Sequence, residues 1–136
     1  MPSPTSFAIL GLATWLIVTV LGVAGFRLYR TLASGKAANT FRADGTDLPG
    51  LGERLVRVHA NCVENIPLYI AVMLFAMASG QTAITDAGAG MLLYARMAQS
   101  IVHAASSSVP AVLLRFGFYA LQTGLILWWL WQMISA

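Results

Sequence analysis

The segment 53–74, ERLVRVHANCVENIPLYIAVML, opens with charged and amide side chains and closes as an apolar run. A helix places on one face four residues of this segment that are spaced three, four and three apart: Arg54, Arg57, Asn61 and Glu64. His59 lies off that stripe. Guanidinium groups bind carboxylates, whereas carboxylate and amide oxygens accept hydrogen bonds from an ammonium or an amide. The stripe therefore predicts a site for a small, mostly anionic, peptide-like ligand.

Two later segments carry polar residues at similar spacing. The first holds Arg96, Gln99 and His103, and the second holds Arg115 and Tyr119. A charged side chain near the bilayer centre costs about 2.5 to 3.5 kcal/mol on insertion scales, so such residues usually line a cavity or pair with one another. If the three helices cross a bilayer side by side, their polar faces meet in one layer. Because Glu64 is the only acid near these arginines, the layer has surplus positive charge, which suits an anionic ligand.

Several of these residues also have a purely structural interpretation. Arg54 can be an interfacial arginine whose head group reaches water, and His103 can be a structural residue near the interface. Glu64 can be the ion-pair partner of Arg57 or of Arg96. The spacing alone leaves these alternatives open.

Composition indicates the class of protein in which these residues must be positioned. The chain has 136 residues, of which 58% are hydrophobic and 10% are charged, and its mean hydropathy is +0.73. These values are typical of an integral membrane protein and not of a soluble domain. No basic run of the kind that binds nucleic acid occurs, so nucleic acid is not an expected partner. The single cysteine, Cys62, is predicted to be buried.

The apolar stretches predict an all-α fold, a bundle of four transmembrane helices in one domain over 1–136. The predicted helices cover about 5–33, 53–79, 83–105 and 109–134. Lysine and arginine are concentrated between the first two spans and are absent from the 80–86 turn. The positive-inside rule then places the first and third loops in the cytoplasm and both termini on the opposite side. The lipid bilayer is an expected partner.

The segment 53–74 closely resembles the second-helix signature of the membrane-associated proteins in eicosanoid and glutathione metabolism, the MAPEG family. The family pattern is E-R-x-x-R-x-x-x-N-x-x-E, and the five fixed positions all match here. The resemblance extends to the predicted four spans, the arginine at Arg96 and the R-x-x-x-Y of Arg115 and Tyr119. It implies a homotrimer of four-helix bundles that binds glutathione between subunits, in the cytoplasmic half of the membrane.

The resemblance also implies roles for individual residues. Arg115 is the arginine expected to face the glutathione thiol, and it is the candidate catalytic residue. A basic residue near the cytoplasmic end of helix one, either Arg30 or Lys36, is expected to reach the site of a neighbouring subunit. The remaining candidates for glutathione binding are Arg54, Arg57, His59, Asn61, Glu64, Arg96, Gln99, His103 and Tyr119. Glutathione is expected as a cosubstrate, and no metal is expected.

Departures from the family bear on the substrate. Asn65, Gln99 and His103 stand where leukotriene-C synthase-like members carry tyrosines, and Phe116 stands where prostaglandin E synthase carries a serine. The chain therefore most resembles a microsomal glutathione transferase, and we expect a transferase or peroxidase for lipophilic electrophiles that uses an arginine-stabilised thiolate. One alternative is a non-catalytic member that binds lipid or a partner protein. Another is a small proton-coupled exporter, which the arginines around Glu64 disfavour.

Overall fold

The computed structural model describes residues 2–136, which form five α-helices, one short 3-10 turn and no strand. The helices are α1 (Pro4–Ser34), α2 (Leu51–Ala78), α3 (Thr82–Asp86), α4 (Ala89–Ala105) and α5 (Val109–Ser135), and the 3-10 turn is Ala38–Thr40. The all-α prediction is confirmed. Three of the helices are long and apolar enough to cross a membrane: α1, α2 and α5.

The prediction of one continuous helix over 83–105 is wrong, because the segment folds as two helices, α3 and α4, with a break at Ala87 and Gly88. A Cβ at Gly88 would lie 2.9 Å from Leu125 Cδ1 and 3.1 Å from Trp129 Cζ2, so a glycine at this position lets the chain approach α5 closely. At 17 residues, α4 alone is shorter than the roughly 20 residues that cross the hydrocarbon core. The fourth span therefore stays a prediction.

A cluster of polar side chains holds α3 against the beginning of α1. The Thr5 hydroxyl donates to Asp86 Oδ1 at 2.6 Å and lies 2.8 Å from the Thr85 hydroxyl, while the Thr5 amide donates to the same carboxylate oxygen at 2.9 Å. Amide groups in the first turn of a helix lack partners within the helix, and the helix dipole favours an anion there. Asp86 therefore accepts a hydrogen bond from an amide in the first turn of α1 and joins this helix to α3. We call Thr5, Thr85 and Asp86 the Thr5–Asp86 cluster.

The hydrophobic core runs along the bundle between α1, α2, α4 and α5. It includes fully buried side chains from each of these helices, among them Leu12, Cys62, Met73, Leu92 and Trp129. Cys62 is buried as predicted. Most other large apolar side chains on α1 and α5 are exposed, which is expected of helices that face lipid or another copy of the chain.

The loop from Gly35 to Gly50 folds back over the ends of α1 and α2. Lys36 Nζ lies 3.1 Å from Asp47 Oδ2, and Leu48 is buried beside Val56 of α2. Gly45 has φ +73°, and a Cβ there would lie 2.8 Å from Val56 Cβ, so the loop can pack this closely only with glycine. The loop is thus fixed beside the first turns of α2, where the polar stripe begins.

Candidate functional site

A cavity of about 420 Å³ lies between α2, α4 and α5. Its walls combine amide, charged and aromatic side chains with one valine: Asn61, Glu64, Asn65, Gln99, His103, Val112, Arg115, Phe116 and Tyr119. The three helices meet here because each has a stripe of polar residues spaced three or four apart. We call this space the inner cavity.

A second cavity of about 380 Å³ adjoins the first at the beginning of α2. Its lining residues are Gly50, Glu53, Arg54, Arg57, His103, Ser107, Val112 and Arg115. Gly50 precedes α2 and Ser107 lies in the link between α4 and α5, so this space lies at the ends of the helices. We call it the outer cavity. Both cavities share His103, Val112 and Arg115.

Eight of the predicted site residues therefore line one or both cavities: Arg54, Arg57, Asn61, Glu64, Gln99, His103, Arg115 and Tyr119. Asn65 and Phe116, which the sequence marks as departures from the family, line the inner cavity as well. The structure thus brings the polar stripes of the three helices to one place.

The arginines of α2 have different partners. Arg54 Nε donates to the backbone oxygen of Ala104 at 2.7 Å and so ties α2 to the end of α4. Arg57 is exposed, and its Nη2 lies 2.6 Å from Glu53 Oε1, one turn earlier on the same helix. Within residues 2–136, none of the three ion pairs involves Glu64. The alternative in which Glu64 serves as an ion-pair partner thus finds no support within one chain.

Arg96 lies behind the wall of the inner cavity. Its side chain is fully buried, with Nη1 donating to Gln99 Oε1 at 3.0 Å and Nη2 donating to the backbone and side-chain oxygens of Asn61. Gln122 Nε2 of α5 also donates to Gln99 Oε1, at 2.9 Å. Arg96 therefore orients two residues of the cavity wall and does not line the cavity itself.

Sequence reasoning missed Gln122, which is fully buried. A signal for it exists, because Arg115, Tyr119 and Gln122 are spaced four and three apart and so share one face of α5. Gln122 joins α5 to the Arg96 network, so all three site helices are connected by side-chain hydrogen bonds at this depth.

Besides Arg96, three predicted residues line neither cavity. His59 Nδ1 is 3.0 Å from the Thr19 hydroxyl, between α2 and α1. Lys36 pairs with Asp47 and lies 5.3 Å from the centre of the Phe41 ring. Arg30 lies near the end of α1, and its Nε is buried without a partner among residues 2–136. In one chain, neither Lys36 nor Arg30 lines the inner or the outer cavity.

The charges that line the two cavities are unequal. Three arginines line them (Arg54, Arg57 and Arg115) against two carboxylates (Glu53 and Glu64), and Glu53 is already paired with Arg57. The buried charge of Arg96 lies behind the inner wall. An anion that enters the inner cavity is therefore attracted by Arg115, while Glu64 can receive a cation.

Fold and cavities together define an all-helical protein with helices that can span a membrane and a polar site between three of them. The chain belongs to the MAPEG family, because the sequence model of that family matches residues 5–135. This family is membrane-bound and includes glutathione transferases and related enzymes as well as non-catalytic members. No curated protein and no solved structure matches the chain.

Proposed function

We propose that this protein is a membrane-embedded, glutathione-dependent transferase or peroxidase that acts on lipophilic electrophiles. The observation that carries the proposal is the position of Arg115 in the wall shared by two adjoining cavities. One cavity offers an acid and amides, and the other offers two further arginines. Family membership supports a role in glutathione-related or eicosanoid metabolism.

Glutathione matches the distribution of charge in this site. It carries two carboxylates and one ammonium, so its net charge is negative. Arg54 and Arg57 bind the carboxylates, Glu64 accepts the ammonium, and Asn61 bonds to the peptide groups. Arg57 can exchange its exposed contact with Glu53 for a ligand carboxylate at little cost, because exposed ion pairs contribute about 0 to 1 kcal/mol.

Arg115 then stabilises the reactive form of the thiol. A free thiol has a pKa near 8.5 and is mostly protonated at neutral pH. Lowering that pKa by about two units requires about 2.7 kcal/mol. One guanidinium at contact distance supplies about 4 kcal/mol at an effective dielectric constant near 20. The thiolate attacks an electrophilic carbon and expels its leaving group, or attacks a hydroperoxide oxygen and releases an alcohol.

Assembly as a homotrimer completes the proposed site. The cavities are open in one chain, and the family resemblance assigns a basic residue of helix one to the site of a neighbouring subunit. Lys36 is already paired with Asp47, whereas Arg30 Nε has no partner within residues 2–136, so we assign this role to Arg30. The site lies in the cytoplasmic half of the membrane, with both termini on the opposite side, and apolar substrates reach it from the bilayer.

A non-catalytic function is the second candidate. It is favoured by the absence of tyrosine at Asn65, Gln99 and His103, and by the use of Gln99 in hydrogen bonds with Arg96 and Gln122. In that case the protein binds lipid or a partner protein and does not activate a thiol.

Purified protein in detergent distinguishes these functions. We expect a trimer that binds glutathione by calorimetry, shows thiolate ultraviolet absorbance at neutral pH and conjugates glutathione to an aromatic halide. A monodisperse monomer that binds glutathione would contradict the shared site. Binding without thiolate, conjugation or peroxidase activity would replace the catalytic function with the non-catalytic one.

A further inference from the structure

We propose that His103 accepts the proton of the glutathione thiol and passes it to water through the outer cavity. This inference rests on the proposed function and adds a catalytic residue to it. Arg115 can stabilise a thiolate, but a guanidinium has no acceptor lone pair and does not lose its proton in proteins. The thiol proton therefore needs another acceptor, and a neutral imidazole has a ring nitrogen whose lone pair can accept it.

The position of His103 fits this role. It is half-buried on the last turn of α4, and it lines both the inner cavity and the outer cavity beside Arg115. A thiol held against Arg115 in the inner cavity is consequently close to the imidazole. His103 also lines the outer cavity together with Gly50 and Ser107, both of which are exposed at helix ends. One ring therefore borders both the ligand and a route to water.

His103 is free to exchange protons, in contrast to the other histidine. His59 Nδ1 is engaged with the Thr19 hydroxyl, whereas no hydrogen bond within residues 2–136 holds a ring nitrogen of His103. Both of its nitrogens are therefore available, one to the ligand and the other to water. A general base must reach the proton that it abstracts within hydrogen-bond distance, and a ring that lines the same cavity as Arg115 is placed to make that contact with a bound thiol.

Other groups near the ring are less suited to accept the proton. The ionisable side chains that line the cavities or lie behind their wall are Glu53, Arg54, Arg57 and Glu64 of α2, Arg96 of α4, and Arg115 and Tyr119 of α5. Glu53 is paired with Arg57, and Glu64 is the acceptor for the ligand ammonium in the proposed binding mode. The nearby arginines repel a proton held on the imidazole, which favours its release to water.

The step is balanced without any further reactant. The S–H bond breaks, its electron pair stays on sulfur, and the proton binds a ring nitrogen of His103. The imidazolium then loses a proton to water in the outer cavity and returns to its neutral form. Because the histidine is restored, it changes the rate at which thiolate forms and leaves the equilibrium fraction of thiolate to Arg115.

Stopped-flow mixing of the protein with glutathione tests this role by thiolate absorbance. We expect His103→Gln to bind glutathione and to reach nearly the wild-type thiolate level, but about 100-fold more slowly. Added imidazole should accelerate the variant in proportion to its concentration. His59→Gln removes the chain's other histidine and should gain nothing from imidazole.

Each outcome separates this inference from the proposed function. If wild type forms no thiolate, the proposed function fails. If wild type forms thiolate and His103→Gln matches its rate, only the role of His103 is overturned. A slow variant that binds glutathione but does not respond to imidazole also overturns it, because a structural defect would behave in that way. If His103→Gln does not bind glutathione, His103→Asn is subjected to the same measurements, and loss of binding in both variants makes His103 a binding residue and overturns its role as proton acceptor.

Discussion

The two ends of the bundle both contain polar side chains but use them differently. In the Thr5–Asp86 cluster, one carboxylate oxygen of Asp86 accepts hydrogen bonds from both the hydroxyl and the amide of Thr5. Thr5 and Thr85 are fully buried. Around the inner cavity, Glu64 and Tyr119 are exposed, and within residues 2–136 no ion pair joins Glu64 to Arg115. The polar groups of the Thr5–Asp86 cluster therefore bond to one another, whereas charged groups around the inner cavity remain unpaired within the described part of the chain.

The difference separates polar residues that stabilise the fold from those that we propose to bind a ligand. Charged groups within a membrane protein are costly unless they are paired or face water, and unpaired ones mark functional sites. The Thr5–Asp86 cluster needs no further partner. Substitutions at that end should therefore change stability, and substitutions around the inner cavity should change binding and turnover.

The largest effect is expected from Arg115→Ala. Glutathione affinity should be largely retained, because in the proposed binding mode Arg57, Asn61 and Glu64 still hold the peptide, but the thiolate should lose about 2 to 3 kcal/mol of stabilisation. That loss corresponds to about 30- to 150-fold less thiolate and slower conjugation at neutral pH. The rate should partly recover as pH rises towards the pKa of the free thiol.

Conjugation of an aromatic halide and calorimetric titration with glutathione measure the two properties of Arg115→Ala separately. Arg115→Lys is the control and should restore only part of the rate, because an ammonium lacks the planar fork of a guanidinium. An unchanged rate in Arg115→Ala would remove this arginine from the mechanism.

A loss of stability without a loss of binding is expected from Asp86→Ala. The substitution removes two hydrogen bonds to a carboxylate, and bonds to charged groups contribute about 1.5 to 3 kcal/mol. The thermal midpoint in detergent should fall while glutathione affinity stays the same. Ser79→Ala is the matched control at this end, since that hydroxyl bonds only to carbonyls of its own helix. An equal fall in both variants would argue against the cluster as a tie between α1 and α3.

Glu64→Gln should weaken glutathione binding without lowering the stability of the protein. If the carboxylate holds the ligand ammonium, glutathione binding weakens by about 1 to 3 kcal/mol, and the thermal midpoint of the unliganded protein stays near that of wild type. The control is Glu53→Gln, which releases Arg57 and should not weaken binding. Calorimetry that shows equal affinity for Glu64→Gln and wild type would exclude the ammonium contact.

The smallest effect is expected at the exposed loop. The hydrogen bond from Arg42 holds the pKa of Asp44 well below its ordinary value, with help from the amide and hydroxyl of Thr46. A lowered pKa stabilises the fold above the ordinary pKa of an aspartate, and this contribution disappears as pH falls through the lowered value. Because both side chains are exposed, solvent screens the pair. Asp44→Asn should leave the thermal midpoint near that of wild type at neutral pH, and a large fall would contradict this view of the loop.

Much of the fold could be predicted from the sequence because helical periodicity and apolar length are local properties. Arg54, Arg57, Asn61 and Glu64 share one face of α2 wherever that helix packs, and this spacing also carries the resemblance to the MAPEG family. Three long apolar helices and a polar stripe on each of three segments follow in the same way.

The burial and contacts of individual residues depend on the tertiary structure and could not be predicted from their spacing. Arg96 and His103 are seven residues apart on α4, yet Arg96 is fully buried against Asn61 and Gln99 whereas His103 borders both cavities. Spacing fixes the face of a helix but not how that face is rotated towards its neighbours, which depends on packing against side chains distant in sequence. The break before α4 has the same origin, since it depends on Asp86 meeting Thr5 and on Gly88 meeting α5.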